Sequence, residues 1–242
     1  MKVIAISDTH GKNFAEKIPE CDVLIMAGDI LPDFELGNGW LQKQWFWDSF
    51  IPYLNLIPAK YKILIAGNHD FYFQDIFKDQ AEDEFKSKLP NNIFYLRDSN
   101  IVLDGVKFHG TPWVTHLRNW AFNIPDNKGP EYAKEYYSKI DNDVDVLISH
   151  CPPYGYGDTI LEYNEMENLG NKWLMDEIKM KNPKYVVFGH IHSGNHNRMK
   201  WCHDSCEGRD VHMYNVSMLN EMYEFHYEPL ELEIKKEKIN DQ

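Results

Sequence analysis

No stretch of this sequence approaches the roughly 20 apolar residues that a membrane-spanning helix needs. The first apolar run, Val3 to Ile6, meets Asp8 too soon for a secretory signal. No membrane partner is expected, and the cytoplasm is the expected compartment. Positive charge is scarce as well: 25 Lys and Arg face 38 Asp and Glu, a formal charge of -13. A long nucleic acid is therefore a poor partner, because such binding draws most of its free energy from Lys and Arg neutralising phosphates. Any phosphate this chain binds needs a local positive source.

Cysteine is sparse too. Four residues, Cys21, Cys151, Cys202 and Cys206, are too few for a disulfide scaffold in a chain of 242 residues. Cys202 and Cys206 flank His203, but no second Cys pair stands at zinc-finger spacing, so this segment reads as a reduced, partly exposed loop. Linkers, repeats and low-complexity segments are absent. One domain is expected over residues 1–234, with residues 235–242 as a frayed tail.

What the sequence does contain is a set of short runs rich in Val, Ile and Leu, read as buried strands: Lys2–Ile6, Asp22–Ala27, Lys62–Ala66, Val144–Ile148 and Tyr185–Phe188. Helical patterns between them predict an α/β fold. One helix is predicted through Trp40–Leu54, with Trp40, Gln44, Trp47 and Ile51 near helical spacing, and another over Asn171–Met180 ahead of Pro183. Asp104-Gly105 is a two-residue hairpin signal joining Asn100–Leu103 to Val106–His109. Strands separated by crossovers bring their carboxyl ends to one edge of a sheet, and ligands bind there.

Each strand ends in polar residues. In order they are Ser7-Asp8-Thr9-His10, Gly28-Asp29, Gly67-Asn68-His69-Asp70, Ser149-His150 and Gly189-His190-Ile191-His192. Any one of these is ordinary turn chemistry. Five together supply Asp8, His10, Asp29, Asn68, His150, His190 and His192, all oxygen or imidazole donors with no thiolate among them. That donor set suits manganese, iron, nickel or zinc.

The order DTH, GD, GNHD, SH, GHIH resembles the calcineurin-like metallophosphoesterases, over Ser7 to His192. The resemblance implies two packed mixed β-sheets flanked by helices, a four-layer sandwich. It also implies two divalent metal ions, one held by Asp8, His10, Asp29 and His192, the other by Asp29, Asn68, His150 and His190, with Asp29 as the bridge. Two ions lower the pKa of bound water toward about 7, which supplies hydroxide for attack on phosphorus. Their charge also leaves the centre net positive inside an acidic chain. By the same resemblance His69 faces the leaving-group oxygen as general acid or transition-state stabiliser. Asp70 is a candidate catalytic residue that orients the His69 imidazole and favours its protonated form; it also suits the N-cap of the helix that follows, and the two roles are compatible.

The segment Gly110–Trp113, followed by His116, Arg118 and Trp120, resembles a loop that small phosphodiesterase-like members place beside the metals. Arg118, His116, Trp113 and Trp120 are candidate substrate-binding residues, with Arg118 as a phosphate clamp and Trp113 or Trp120 stacking on a base. An aromatic packing loop is the alternative reading. The locally basic Asn195–Arg209 is a candidate cleft rim or a solvated loop.

Departures narrow the subclass. Ile30-Leu31-Pro32-Asp33 stand where protein Ser/Thr phosphatases carry Asp-Arg-Gly and purple acid phosphatases a Tyr ligand. A small phosphodiester, such as a cyclic nucleotide, is the expected substrate. A broad phosphomonoesterase, a short-strand nuclease and a non-catalytic scaffold of the same fold are the alternatives.

Overall fold

The computed structural model describes residues 1–34, 37–115, 117, 119–125, 130–162, 165–193, 199–202 and 210–235. In chain order the strands and helices are β1 (Lys2–Ile6), β2 (Cys21–Ala27), α1 (Gly39–Trp45), α2 (Ile51–Asn55), β3 (Ala59–Ile65), α3 (Phe71–Lys78), α4 (Glu82–Lys88) and β4 (Ile93–Tyr95). The hairpin β5 (Ser99–Leu103) and β6 (Val106–Thr111) follows, then α5 (Ala133–Tyr137) and β7 (Val146–Ser149). The chain continues through β8 (Thr159–Glu162), β9 (Glu165–Asn168), α6 (Lys172–Lys181), β10 (Tyr185–Phe188), β11 (Met199–Cys202), β12 (Asp210–Asn215) and β13 (Leu230–Glu233).

Two mixed sheets carry the fold, as the resemblance implied. One runs β13-β1-β2-β3-β4 and the other β11-β12-β10-β7-β6-β5, while β8 and β9 form a separate pair. The strand period of two builds the layers. Val3 and Ala5 of β1, Val23, Ile25 and Ala27 of β2, and Val146 and Ile148 of β7 share one core cluster. Their sequence neighbours Ile4, Ile6, Leu24, Met26 and Leu147 belong to the other, together with Phe46, Phe73 and Leu174 from the helices. Each sheet therefore buries one face against its partner and the other against helices, which is why its central strands read as continuous apolar runs.

The hairpin turns where expected, with Leu103 paired to Val106 and both Asp104 (φ 47°) and Gly105 (φ 79°) left-handed. Helix α6 starts on Asn171, whose side-chain oxygen accepts the Trp173 and Leu174 amides.

The predicted Trp40–Leu54 helix is present, but its make-up and its buried face differ from the expected spacing. It is α1 and α2 joined by a π-helical turn over Phe46–Phe50. Its buried side is Gln42, Phe46, Phe50, Ile51 and Leu54, while Trp40 is 62% exposed. Phe46 packs on Tyr72, Phe73 and Phe85, so aromatic partners from α3 and α4 chose the face. Residues 236–242, most of the expected tail, lie outside the described residues, as do His203, Cys206 and most of the 195–209 loop. Among the described residues no helix is long and apolar enough to cross a membrane.

Candidate metal centre and active site

Strands β1, β2 and β3 run parallel in one sheet, and β7, β10 and β12 in the other. Their carboxyl ends share one edge, where backbone bonds stitch the loops together. The Asp8 amide donates to the Gly28 carbonyl and the His10 amide to that of Asp29, both at 3.0 Å. The two sheets meet there as well, since the Met218 amide donates to the Ser7 carbonyl at 3.0 Å. Space at this edge is tight. A Cβ at Gly67 would strike the Asp29 carboxylate, and one at Gly189 would strike the Asp8 carboxylate and Ser7 Oγ. Asp8, His10, Asp29 and His190 all hold left-handed φ angles of 44° to 73°. Such strain persists only where surrounding bonds over-determine it, and it concentrates at functional sites.

One ligand atom from each of Asp8, His10 and His192 lies within 4.8 Å of the others, and the same holds for Asp29, His150 and His190. A third overlapping group contains His10, Asp29 and His69. His150 donates Nδ1–H to the Ala27 carbonyl at 2.8 Å, so its Nε2 is left facing Asn68 Oδ1 at 3.1 Å and Asp29 Oδ2 at 3.2 Å. His192 repeats the arrangement, with Nδ1 3.1 Å from the Asn220 carbonyl and Nε2 3.5 Å from Asp8 Oδ1. A carbonyl behind the imidazole is what orients a metal-ligating histidine. His10 is buried, and its Nε2 has no hydrogen-bond partner. A buried nitrogen without a partner costs free energy, and a cation among these carboxylates would relieve that cost. The residues present therefore fit a divalent-metal centre.

Charges within the cluster agree. Burial works against ionising Asp8, but the His192 hydrogen bond and the His150 charge hold its carboxyl well below the usual range. Burial opposes Asp29 in the same way and is outweighed by His150 and His69, so Asp29 is also held well below. Burial disfavours charge on His150 and His192, yet Asp29 lifts the first and Asp8 the second to about 9. His190 has no such carboxylate close enough to prevail, and burial and the His150 charge push it down to about 4. Ser217 Oγ and the His190 amide donate to Asp8 and fix its oxygens.

His69 sits outside the two main groups. Its Nδ1 lies 2.6 Å from Asp33 Oδ1, and its Nε2 lies 3.9 Å from Asp29 Oδ2. Burial alone would lower its pKa, but Asp29 and Asp33 raise it overall. Asp70 does not supply this contact. Both of its oxygens are taken by backbone amides, Oδ2 by Asp29 and Gly67 at 2.8 Å and Oδ1 by Leu31 at 2.9 Å. Asp70 stands at the N-terminus of α3 without a side-chain cap bond, so it ties the β2 and β3 loops together instead.

The match of a family model settles what this edge belongs to: the model for calcineurin-like phosphoesterases covers residues 1–194. The chain is a member of that family. Human metallophosphoesterase domain-containing protein 1 is 32% identical over 211 residues, covering 80% of this chain and 61% of the human protein. The chain thus spans about three-fifths of that relative. Solved structures agree in fold. One superposes with a TM-score of 0.59 at 20% identity, covering 88% of this chain and 89% of that one. TT1561 of Thermus thermophilus gives 0.53 at 14% identity, with 90% of each chain covered.

Within this calcineurin-like phosphoesterase, the aromatic loop divides in two. Trp113 is 5% exposed, donates Nε1–H to Asp98 and packs edge-on against Phe122 and Tyr136, so its ring is committed to the core. Trp120 is half-buried with its ring centroid 3.9 Å from that of His69. His116 and Arg118 lie outside the described residues. The loop reaches the centre through its backbone, since the Ala121 amide donates to the Asn68 carbonyl at 2.9 Å.

Sequence reasoning passed over Asp33, Gln42, Asn220 and Tyr223. Gln42 Nε2 donates to the carbonyls of His69 and Pro32, and its Oε1 accepts the Tyr72 amide, so it locks the Asp33 loop to the His69 loop. A signal for Gln42 was present: it is a polar residue in fourfold step with Phe46, Phe50 and Leu54. Asn220 and Tyr223 left no comparable pattern.

Proposed function

We propose that this protein is a metal-dependent phosphoesterase that hydrolyses a small phosphodiester with two divalent ions. Asp8, His10, Asp29 and His192 would hold one ion, and Asp29, Asn68, His150 and His190 the other. The observation that carries the reading is the convergence of Asp8, His10 and His192, and of Asp29, His150 and His190, into groups within 4.8 Å, with Asn68 Oδ1 beside His150 and the Nε2 atoms of His150 and His192 turned toward carboxylates. When bound, such ions supply Lewis acidity and activate water at neutral pH.

The chain's own residues do the rest. Asp33 holds His69 by Nδ1, which leaves Nε2 to carry the proton that a leaving alkoxide requires. Asp33 itself stays ionised: burial would raise its pKa, but the nearby His10 and the hydrogen-bonded His69 lower it to about 2. A carboxylate in that position stabilises the imidazolium form of His69. Trp120 lies against the imidazole, with the two rings inclined at 36°. No Arg follows Gly28-Asp29, where the chain reads Ile30-Leu31-Pro32-Asp33. A monoester dianion gains most from such cationic clamps, and a singly charged diester needs them least.

The test is a hydrolysis panel with manganese, iron, nickel or zinc added. It should include bis-nitrophenyl phosphate, cyclic nucleotides, short oligonucleotides and nucleoside monophosphates. Diesters are expected to show the highest kcat/KM. A monoester exceeding every diester overturns the diester assignment, and full activity in excess chelator overturns the metal assignment.

A further inference from the structure

Four rings stand in a row along the candidate centre. Trp120 lies 3.9 Å from His69, His69 lies 4.6 Å from His10, and His10 lies 4.7 Å from Tyr223, centroid to centroid. Tyr223 also approaches His192 at 5.2 Å, inclined 62° to it. Three members of the row come from the loops after β1, β3 and β6. Tyr223 comes from the segment between β12 and β13, which no motif marks.

Tyr223 is held in a conformation it would not choose. Its φ is 59°, a region that bulky residues occupy only when their surroundings impose it. Asn220 imposes it. The Asn220 carbonyl accepts the Tyr223 amide at 2.9 Å, and its side-chain oxygen accepts the amides of Met222 at 3.0 Å and Glu224 at 2.9 Å. The same Asn220 carbonyl faces His192 Nδ1 at 3.1 Å. One carbonyl therefore places both the tyrosine and a candidate metal ligand. The ring packs against both His10 and His192, which puts it beside the candidate centre. The residue remains 39% exposed, so a ligand can reach it.

A phosphate oxygen that is not on a metal needs a hydrogen-bond donor from the chain. A phenol supplies one neutral O–H donor and adds no charge, which suits a singly charged ester. Resting on the phosphoesterase reading, we propose that Tyr223 is a substrate-contact residue whose hydroxyl donates to a non-bridging oxygen of the bound phosphate ester.

The experiment compares the wild-type chain with Tyr223→Phe, which keeps the ring and removes only the hydroxyl. Manganese content, binding of inorganic phosphate by calorimetry and kinetics on bis-nitrophenyl phosphate are measured for both. Hydrogen bonds to charged groups contribute enough that phosphate binding should weaken by roughly tenfold or more, with manganese content unchanged. Phosphate binding equal to wild type overturns the proposal. Loss of manganese from Tyr223→Phe also overturns it, because Tyr223 would then be a prop for His10 and His192. If the wild-type chain itself neither binds phosphate with manganese nor cleaves any ester, the phosphoesterase reading falls and this proposal with it. Wild-type activity beside an indifferent Tyr223→Phe removes this proposal alone.

Discussion

Asp33 Oδ1 lies 2.6 Å from His69 Nδ1, and the other oxygen of the same carboxylate lies 3.2 Å from His10 Nδ1. One loop carboxylate thus sets the rings of a candidate ligand and of the candidate general acid. His69→Ala is expected to keep its metal and lose roughly 10²–10⁴ in kcat, the usual contribution of a general acid. Asp33→Asn should lose less, roughly 10–100-fold, as partners that orient a functional imidazole do. Both losses should shrink with nitrophenolate leaving groups, which need no proton. Equal losses with alkyl and nitrophenyl esters would count against proton donation by His69.

In the proposed two-ion arrangement Asp29 is the carboxylate that both sites share. Its Oδ2 faces His150 Nε2 at 3.2 Å, and its Oδ1 accepts the His69 amide at 2.8 Å. Asp29→Ala should therefore retain almost no metal after dialysis, while the wild-type chain approaches two ions. Elemental analysis decides it, and an Asp29→Ala chain that still carries two ions would refute the bridge.

Asp70 makes a stability prediction. Removing its carboxylate strands the amides of Asp29, Gly67 and Leu31 in the interior. Each unsatisfied buried donor costs about 1–3 kcal/mol, so Asp70→Ala should lose about 3 kcal/mol or more. Urea unfolding in chelator measures this without a contribution from bound ions. A loss under about 1 kcal/mol would show that the loops hold without it.

His109 makes a pH prediction away from the centre. It is fully buried, with Nδ1 2.8 Å from Asn100 Oδ1, and burial pushes its pKa from 6.5 down to about 4. Below pH 6.5 the unfolded chain takes up a proton that the folded chain refuses. Stability from this group is thus complete above about pH 6.5 and is lost as pH falls toward about 4, by roughly 3 kcal/mol in all. His109→Gln cannot titrate, so its stability should fall less steeply than that of wild type between pH 6.5 and 4.5. Parallel slopes from urea unfolding would contradict the assignment.

The strands and the donors at their ends were legible in the chain before any packing was known. β1 and β10 fall at Lys2–Ile6 and Tyr185–Phe188, as their apolar runs indicate. The reason is physical: a strand buried on both faces must be a continuous apolar run, and parallel strands bring their carboxyl ends to one edge. Asp8, Asp29, Asn68, His150 and His192 are therefore recognisable as neighbours although far apart in the chain.

The groups that stand behind those donors were set by long-range packing alone. Asp33 meets His69 across 36 positions and Gln42 meets it across 27. The fourfold step of Gln42 with Phe46, Phe50 and Leu54 marks it as inward-facing, but no local pattern names its partner or that of Asp33. The buried face of the helix at Gly39–Asn55 was equally undetermined, because Trp40, Trp45, Phe46, Trp47 and Phe50 offer apolar groups in several directions. Packing against Tyr72 and Phe85 chose among them. Tyr223 is the extreme case. Its place beside His10 depends on a left-handed backbone held by Asn220, and that geometry exists only once the two sheets have met at their shared edge.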